Sequence, residues 1–489
     1  MELTALINGI YVSQVIGEMQ RQDVTGIFYD SRKVTKGSVF VAMKGFNSDG
    51  HRFILDAINK GAIAVILEDS NTVPDEIFIH NRVAKICVRD SRLALAQASN
   101  YYYRGPSQKL KLIGITGTNG KTTTTYFIKS IIEQMGEKAG IVGTIANYIG
   151  SREIKSSLTT PEANDLNELI YQMHNEGCSY AIMEVSSHSL ILKRVYGLKF
   201  SEAIFTNITS DHLDFHGNFE EYFKAKKILF DSLDESSLII YNSDDPNSVN
   251  IIKDSKAKAY SYGMAANSDF RISDISFDLS GTSFSINYSG NIYSPHTSLV
   301  GSFNAYNACA AFASAVLHGI SPETAIEGIR NTKQVPGRFE VIGKGSKKVI
   351  VDYSHTADSL EKALIALTKI VQSNNPIYTV LGCGGNRDKS KRPIMGRLAS
   401  DMSKKIFITS DNPRNEDPIA IINEIRTGLN KDNYEVIENR EEAIKKAIES
   451  TEKNAVILVA GKGHETYQEI KGVRNHFSDK EIAEKYLAE

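Results

Sequence analysis

Residues 114–125 read GITGTNGKTTTT, directly after the apolar run LKLIGIT and before a helix-forming stretch. A strand that breaks into a glycine loop and then a helix turns its backbone N–H groups toward one point, where phosphate oxygens are held. Lys121 adds a positive charge for terminal phosphates, and Thr122 adds a hydroxyl that can ligate magnesium. The spacing is a variant of the common phosphate loop. Ile115 stands where the first glycine of GxxxxGKT would be, so Gly117 and Gly120 make the turns.

The chain has 489 residues, enough for two to four domains at ~100–200 residues each. YYYRGPSQKL and VPGRF carry Gly-Pro or Pro-Gly breakers and divide the chain into 1–108, 109–335 and 336–489. The first segment reads as a small α/β unit, with strands near 26–29, 39–43 and 62–67. The middle one has strands at 110–116, 140–144, 180–185, 203–206 and 238–241 alternating with helical patterns, which indicates a mostly parallel sheet. A polar stretch of alternating apolar residues at 269–294 suggests an antiparallel insert. The rhythm restarts at 348–353, 377–382, 406–409 and 455–460, a second doubly wound, Rossmann-like unit.

Lys plus Arg number 56 against 58 Asp plus Glu, so bulk charge gives no support to nucleic-acid binding. Cys87, Cys178, Cys309 and Cys383 lie far apart with no CxxC pair, against a disulfide framework or zinc ribbon. The first twenty residues lack the basic-then-apolar order of a leader, and no apolar run approaches the ~20 residues that span a bilayer. The expectation is a cytoplasmic protein with no membrane partner.

Glu184 ends the apolar run in AIMEVSSHSL, at the carboxyl edge of a parallel sheet where ligands bind, and could share a magnesium with Thr122. TNITSDHLDFHG places Asp211, His212, Asp214 and His216 close together, as either a metal site or a solvated loop. In FEEYFKAKKILFDSL, Lys226 shares a helical face with Phe219, Tyr222, Phe223, Leu229, Phe230 and Leu233, while Lys224 faces Glu220 and Glu221. A lysine in an apolar stripe either snorkels to water or loses its proton, and a neutral amine can capture carbon dioxide as a carbamate, a carboxylate equivalent.

TGTNGKTT resembles the ATP loop of the Mur ligase family, and similar motifs run from DSR near residue 30 to GKGHE near residue 463. The resemblance implies an ATP- and magnesium-dependent amide ligase of three domains that bind, in order, a UDP substrate, ATP and an amino acid. It implies ATP contacts from Gly117, Thr118, Asn119, Gly120, Lys121, Thr122, Thr123, Asn304, Asn307, Arg338 and Asp352. Lys121, Glu184, His212, Lys226 and Arg338 become the catalytic set, with Thr122, Glu184, His212 and carbamylated Lys226 at magnesium. Ser31, Thr159, Thr160, Ser186 and Arg194 would contact UDP-N-acetylmuramoyl-L-alanyl-D-glutamate, although Leu192 stands where the family has glutamine.

Arg387, Asp411, Asn412, Pro413, Arg414, Gly461 and Glu465 would read the incoming amine. Two arginines suit a ligand with a distal carboxylate, which points to meso-diaminopimelate added to the D-glutamyl γ-carboxylate by way of an acyl phosphate. The enzyme is expected to act as a monomer in peptidoglycan precursor synthesis. The alternatives are the same ligase adding L-lysine, a folylpolyglutamate-synthase-like ligase, and a nucleotide-switched binding protein without ligase chemistry.

Overall fold

The computed structural model describes residues 1–489 except 20, 22, 46, 47, 344–346, 372–374 and 489. Strand Lys111–Thr116 is buried from Leu112 onward and lies inside a twelve-stranded sheet, as an uninterrupted apolar run requires. It pairs in parallel with Tyr180–Glu184 on one side and Glu202–Phe205 on the other. Ala139–Val142 extends the first side, and Leu238–Asn242 and Lys258–Gly263 the second, all in parallel.

The stretch at 269–294 forms Phe270–Asp278, Gly281–Tyr288 and Asn291–Tyr293, antiparallel to one another. The predicted antiparallel character holds, and the stretch is continuous with the central sheet. Tyr262 pairs with Phe270, so these strands prolong the central sheet, and Phe270, Ile272, Phe284 and Ile286 share one core with Ile128 and Ile131 of helix Lys121–Gln134. Burial of their apolar face against that core is what joins them to it.

Among the described residues a five-stranded and a six-stranded sheet accompany this one, with a two-stranded ribbon, Tyr467–Ile470 and Val473–His476, in the last unit. In the first unit Ile27–Phe28, Val39–Val41, Ala64–Leu67 and Ala84–Val88 run parallel, with Val12–Ile16 antiparallel at the edge. In the last unit Lys348–Asp352, Val456–Ala460, Ile377–Leu381, Lys405–Ile408 and Tyr434–Val436 run parallel, with Glu340–Ile342 antiparallel at the edge. Among the described residues, no helix is long and apolar enough to cross a membrane.

Candidate active site

The carboxyl edge of the central sheet opens onto a cavity of about 680 Å³, whose facing wall is built by residues of the last unit from Arg338 to Lys369. Gly117 to Thr123 all line it. Gly117 has φ 153°, and a Cβ there would lie 1.9 Å from Thr206 Oγ1 and 2.9 Å from the Asn207 carbonyl. Gly120 has φ 88°, and a Cβ there would lie 2.5 Å from Asn307 Oδ1. Only glycine fits either turn.

Lys121 Nζ donates to the carbonyls of Gly117 (2.9 Å) and Thr118 (3.0 Å). Desolvation lowers its pKa, which Glu184 partly opposes. The four threonines that follow are weak helix formers. Here three of the four hydroxyls are engaged: Thr124 and Thr125 donate back to the Gly120 and Thr122 carbonyls, and Thr122 Oγ1 reaches Glu184 Oε2 at 3.0 Å. Glu184 is 1% exposed and also accepts from the Thr144 hydroxyl (2.9 Å) and N–H (2.8 Å).

Arg338 crosses from the last unit. Its Nη2 donates to Thr122 Oγ1 at 3.1 Å, its guanidinium lies 4.8 Å from the Tyr353 ring centre, and its buried Nε has no hydrogen-bond partner among the described residues. Lys226, 2% exposed on helix Phe219–Asp231, donates to the Gly117 carbonyl at 2.9 Å and lies 4.6 Å from the Tyr222 ring centre. Burial, then the charge of Lys121, puts its pKa well below that of an ordinary lysine. Lys224 instead pairs with Glu220 (2.9 Å) and Glu221 (3.0 Å) on the solvent side.

Of the acidic and histidine loop, Asp211 and His212 line the cavity, while Asp214 is exposed and His216 Nε2 meets Ser187 Oγ at 2.9 Å. Desolvation lowers the pKa of the His212 imidazole, and Asp211 at 3.4 Å opposes that fall. Asn307 and Asp352 line the cavity. Asn304 does not; it is packed behind, accepting from Asn307 Nδ2 at 3.2 Å and donating to Val300 O at 2.9 Å. Asp352 accepts the Phe339 N–H at 2.7 Å, and burial raises its pKa.

Thr159 and Ser186 also face the cavity. Thr160 is buried behind them, with its hydroxyl on the Glu184 carbonyl at 2.7 Å. Arg194 donates to Thr160 O at 3.0 Å and pairs with Glu162 at 2.7 Å. Ser31 lies apart in the first unit, its carbonyl accepting from Lys60 at 3.0 Å.

The remaining candidates gather outside this cavity, at the carboxyl edge of the last sheet. Asp411, Asn412 and Pro413 are buried, and Asn412 Nδ2 donates to Glu465 Oε2 at 2.7 Å. A Cβ on Gly461 would lie 2.6 Å from Asp411 Oδ2. Arg414, held at φ 52°, donates to the Gly385 carbonyl at 2.7 Å, and a Cβ on Gly384 would lie 3.0 Å from Arg414 Nη1 and 3.9 Å from Cγ of the exposed Arg387.

Among the described residues, no group of three or more His, Cys, Asp or Glu side chains could hold a metal unaided. Magnesium asks for less, since it keeps several waters and takes one or two oxygen ligands besides phosphate. The Glu184 carboxylate, in contact with the Thr122 hydroxyl, fits that demand, and the partnerless Arg338 Nε beside it fits an anionic phosphate.

Residues 23–103 match the Mur ligase family catalytic domain, 115–315 the Mur ligase middle domain, and 337–463 the Mur ligase glutamate ligase domain. A Clostridium acetobutylicum protein named UDP-N-acetylmuramoyl-L-alanyl-D-glutamate--2,6-diaminopimelate ligase 1 is 42% identical over 492 residues, covering 100% of both chains. The chain belongs to the Mur ligase family. A Clostridium tetani diaminopimelate ligase is likewise 42% identical, covering 96% of this chain and 95% of its own. A solved structure of a UDP-N-acetylmuramoyl-L-alanyl-D-glutamate--2,6-diaminopimelate ligase aligns with a TM-score of 0.69 and 30% identity over 100% of this chain and 99% of that one. This Mur ligase is therefore an ATP-dependent enzyme that forms amide bonds.

Thr144, Thr206 and Asn207 also line the cavity, and none is among the residues the sequence predicts there. Thr144 follows strand Ala139–Val142, so its place at the same sheet edge as Glu184 is a signal that was there to find. Asn207 accepts the Thr118 and Asn119 N–H groups (2.8 and 3.0 Å) from across the cavity floor, and nothing local marks that role. For Gly117→Ala in this Mur ligase, overpacking alone is expected to cost about 1–3 kcal/mol of stability. Thermal melts with and without ATP check this: a lower Tm and no rise on adding ATP are expected.

Proposed function

We propose that this Mur ligase joins meso-diaminopimelate to the D-glutamyl γ-carboxylate of UDP-N-acetylmuramoyl-L-alanyl-D-glutamate, with ATP converted to ADP and phosphate. The observation that carries the reading is the contact between Arg338 and Thr122, which brings cationic groups from two units around one phosphate-loop helix start. Full-length relatives that bear the diaminopimelate ligase name support the choice of substrates. In this reading the units divide at 1–108, 109–335 and 336–489.

A carboxylate does not condense with an amine unaided, because oxide is too poor a leaving group. Its oxygen attacks the γ-phosphate, ADP leaves, and the acyl phosphate is then attacked by the amine, releasing phosphate. Lys121 and Arg338 neutralise the charge that develops on the transferring group. Asn307, backed by Asn304, takes the adenine end and Asp352 the ribose. Thr122, Glu184, His212 and Lys226 as its carbamate would hold magnesium, which supplies further charge neutralisation when bound. Ser31 takes the uridine end on the first unit, and Thr159, Thr160, Ser186 and Arg194 take the muramoyl dipeptide. Arg387 and Arg414 pair with the distal carboxylate of diaminopimelate, and Glu465 with its distal ammonium.

The test is phosphate release from ATP and magnesium with the muramoyl dipeptide, comparing meso-diaminopimelate, L-lysine and no amine. Release that depends on diaminopimelate, at least about tenfold above lysine, is expected from loss of the paired carboxylate. Turnover independent of any amine would overturn the reading.

A further inference from the structure

Lys462 is absent from every role assigned so far, yet it is fully buried. Its Nζ donates to three acceptors: Asn412 Oδ1 at 3.1 Å, Glu465 Oε2 at 3.2 Å and the Tyr467 carbonyl at 2.6 Å. The rings of Tyr467 and Phe477 close around it, with centres 5.5 and 5.9 Å away. Asn412 completes a ring of contacts, donating from Nδ2 to the same Glu465 oxygen at 2.7 Å and accepting the Glu469 N–H at 2.9 Å. One oxygen of Glu465 is thus held from two sides. The other, Oε1, has no hydrogen-bond partner among the described residues and belongs to a side chain that is still 15% exposed.

We propose that Lys462 is a positioning residue for the incoming amino acid: it anchors Glu465 through Oε2 so that Oε1 is presented to a ligand ammonium. The proposal rests on the reading of this cluster as the amine site. Burying an ammonium is costly unless it is fully paired, and two of its three donated bonds go to Asn412 and Glu465 of one site, which favours a role there over a role in general packing. Burial and then Asp411 raise the Glu465 carboxyl above the ordinary carboxylate range, and Lys462 and Asn412 oppose that rise. Arg440, paired with Asp479, adds positive charge from behind, and Tyr353 and Tyr467, both neutral, complete the surroundings. With Lys462 neutralised, the carboxyl keeps its proton to higher pH, and an ammonium loses its partner.

Lys462→Met and Lys462→Gln should each raise KM for meso-diaminopimelate about tenfold or more, with KM for ATP and for the muramoyl dipeptide within about twofold. The acid limb of kcat/KM for diaminopimelate should move to higher pH. In a Glu465→Gln background, Lys462→Met should add little, because the group it acts on is gone. Equal losses for all three substrates, an unmoved acid limb, additive effects in the double variant, or failure of both variants to fold would each overturn the proposal. Wild-type enzyme that does not use diaminopimelate would instead defeat the substrate reading, which the same assay shows separately.

Discussion

Lys121→Met is expected to lower kcat/KM for ATP by about 10³-fold while leaving the protein folded. The lysine sits at the first position of helix Lys121–Gln134, where the helix dipole already favours an anion, and its Nζ spends its bonds on the carbonyls of its own loop. Its pKa is lowered because that charge is desolvated without a full counter-charge. A triphosphate supplies the missing negative charge, so the amine is poised for a ligand rather than for the fold. The same reasoning predicts a Tm for the ligand-free variant equal to or above that of the wild type, and loss of the Tm rise that ATP gives the wild type. Steady-state kinetics and melts with ATP measure both. A variant within about tenfold of wild-type activity would remove Lys121 from phosphoryl transfer.

Lys226→Ala is expected to lower kcat by about 10²–10³-fold, with ATP affinity within a few-fold of the wild type. Burial at 2% exposure and a depressed pKa leave an amine that can react with carbon dioxide, forming a C–N bond and releasing a proton. The product is an anion next to the Gly117 carbonyl and the phosphate loop, able to take part in holding magnesium. Enzyme stripped of bicarbonate should lose activity and regain it when bicarbonate returns, and Lys226→Ala should respond to neither treatment. Intact mass spectrometry under carbon dioxide should show one added carbon dioxide on the wild type alone. A Lys226→Ala variant at full rate would exclude the modified lysine from the mechanism. Independently of either variant, oxygen label in the substrate carboxylate should pass into released phosphate if an acyl phosphate forms.

The local signals in the chain were strong where geometry repeats over a short distance. GTNGKT after an apolar strand specifies a phosphate turn because strand, glycines and helix start are contiguous. The split between Lys224 and Lys226 follows from a helical period of 3.6 residues, and the helix Phe219–Asp231 turns the one out and the other in. Parallel strands that are continuous apolar runs can be read from the sequence, whereas Ala84–Val88, Lys258–Gly263 and Tyr434–Val436, broken by polar residues, give no such signal. The edge strand Val12–Ile16 was missed because most of it is exposed and lacks that pattern.

What the order of residues determined by itself was the class of each unit, the turn that cradles phosphate and the family to which they belong, all set by contacts within about a dozen neighbours. What the tertiary structure alone decided was which distant groups meet. Arg338 on Thr122, Thr144 on Glu184, Asn207 under the loop, and Lys462 between Asn412 and Glu465 join residues from separate elements, two of the pairs more than 50 positions apart. The reason is physical: a parallel sheet collects the ends of strands far apart in the chain along one edge, and which side chains touch there depends on strand order and packing, not on spacing.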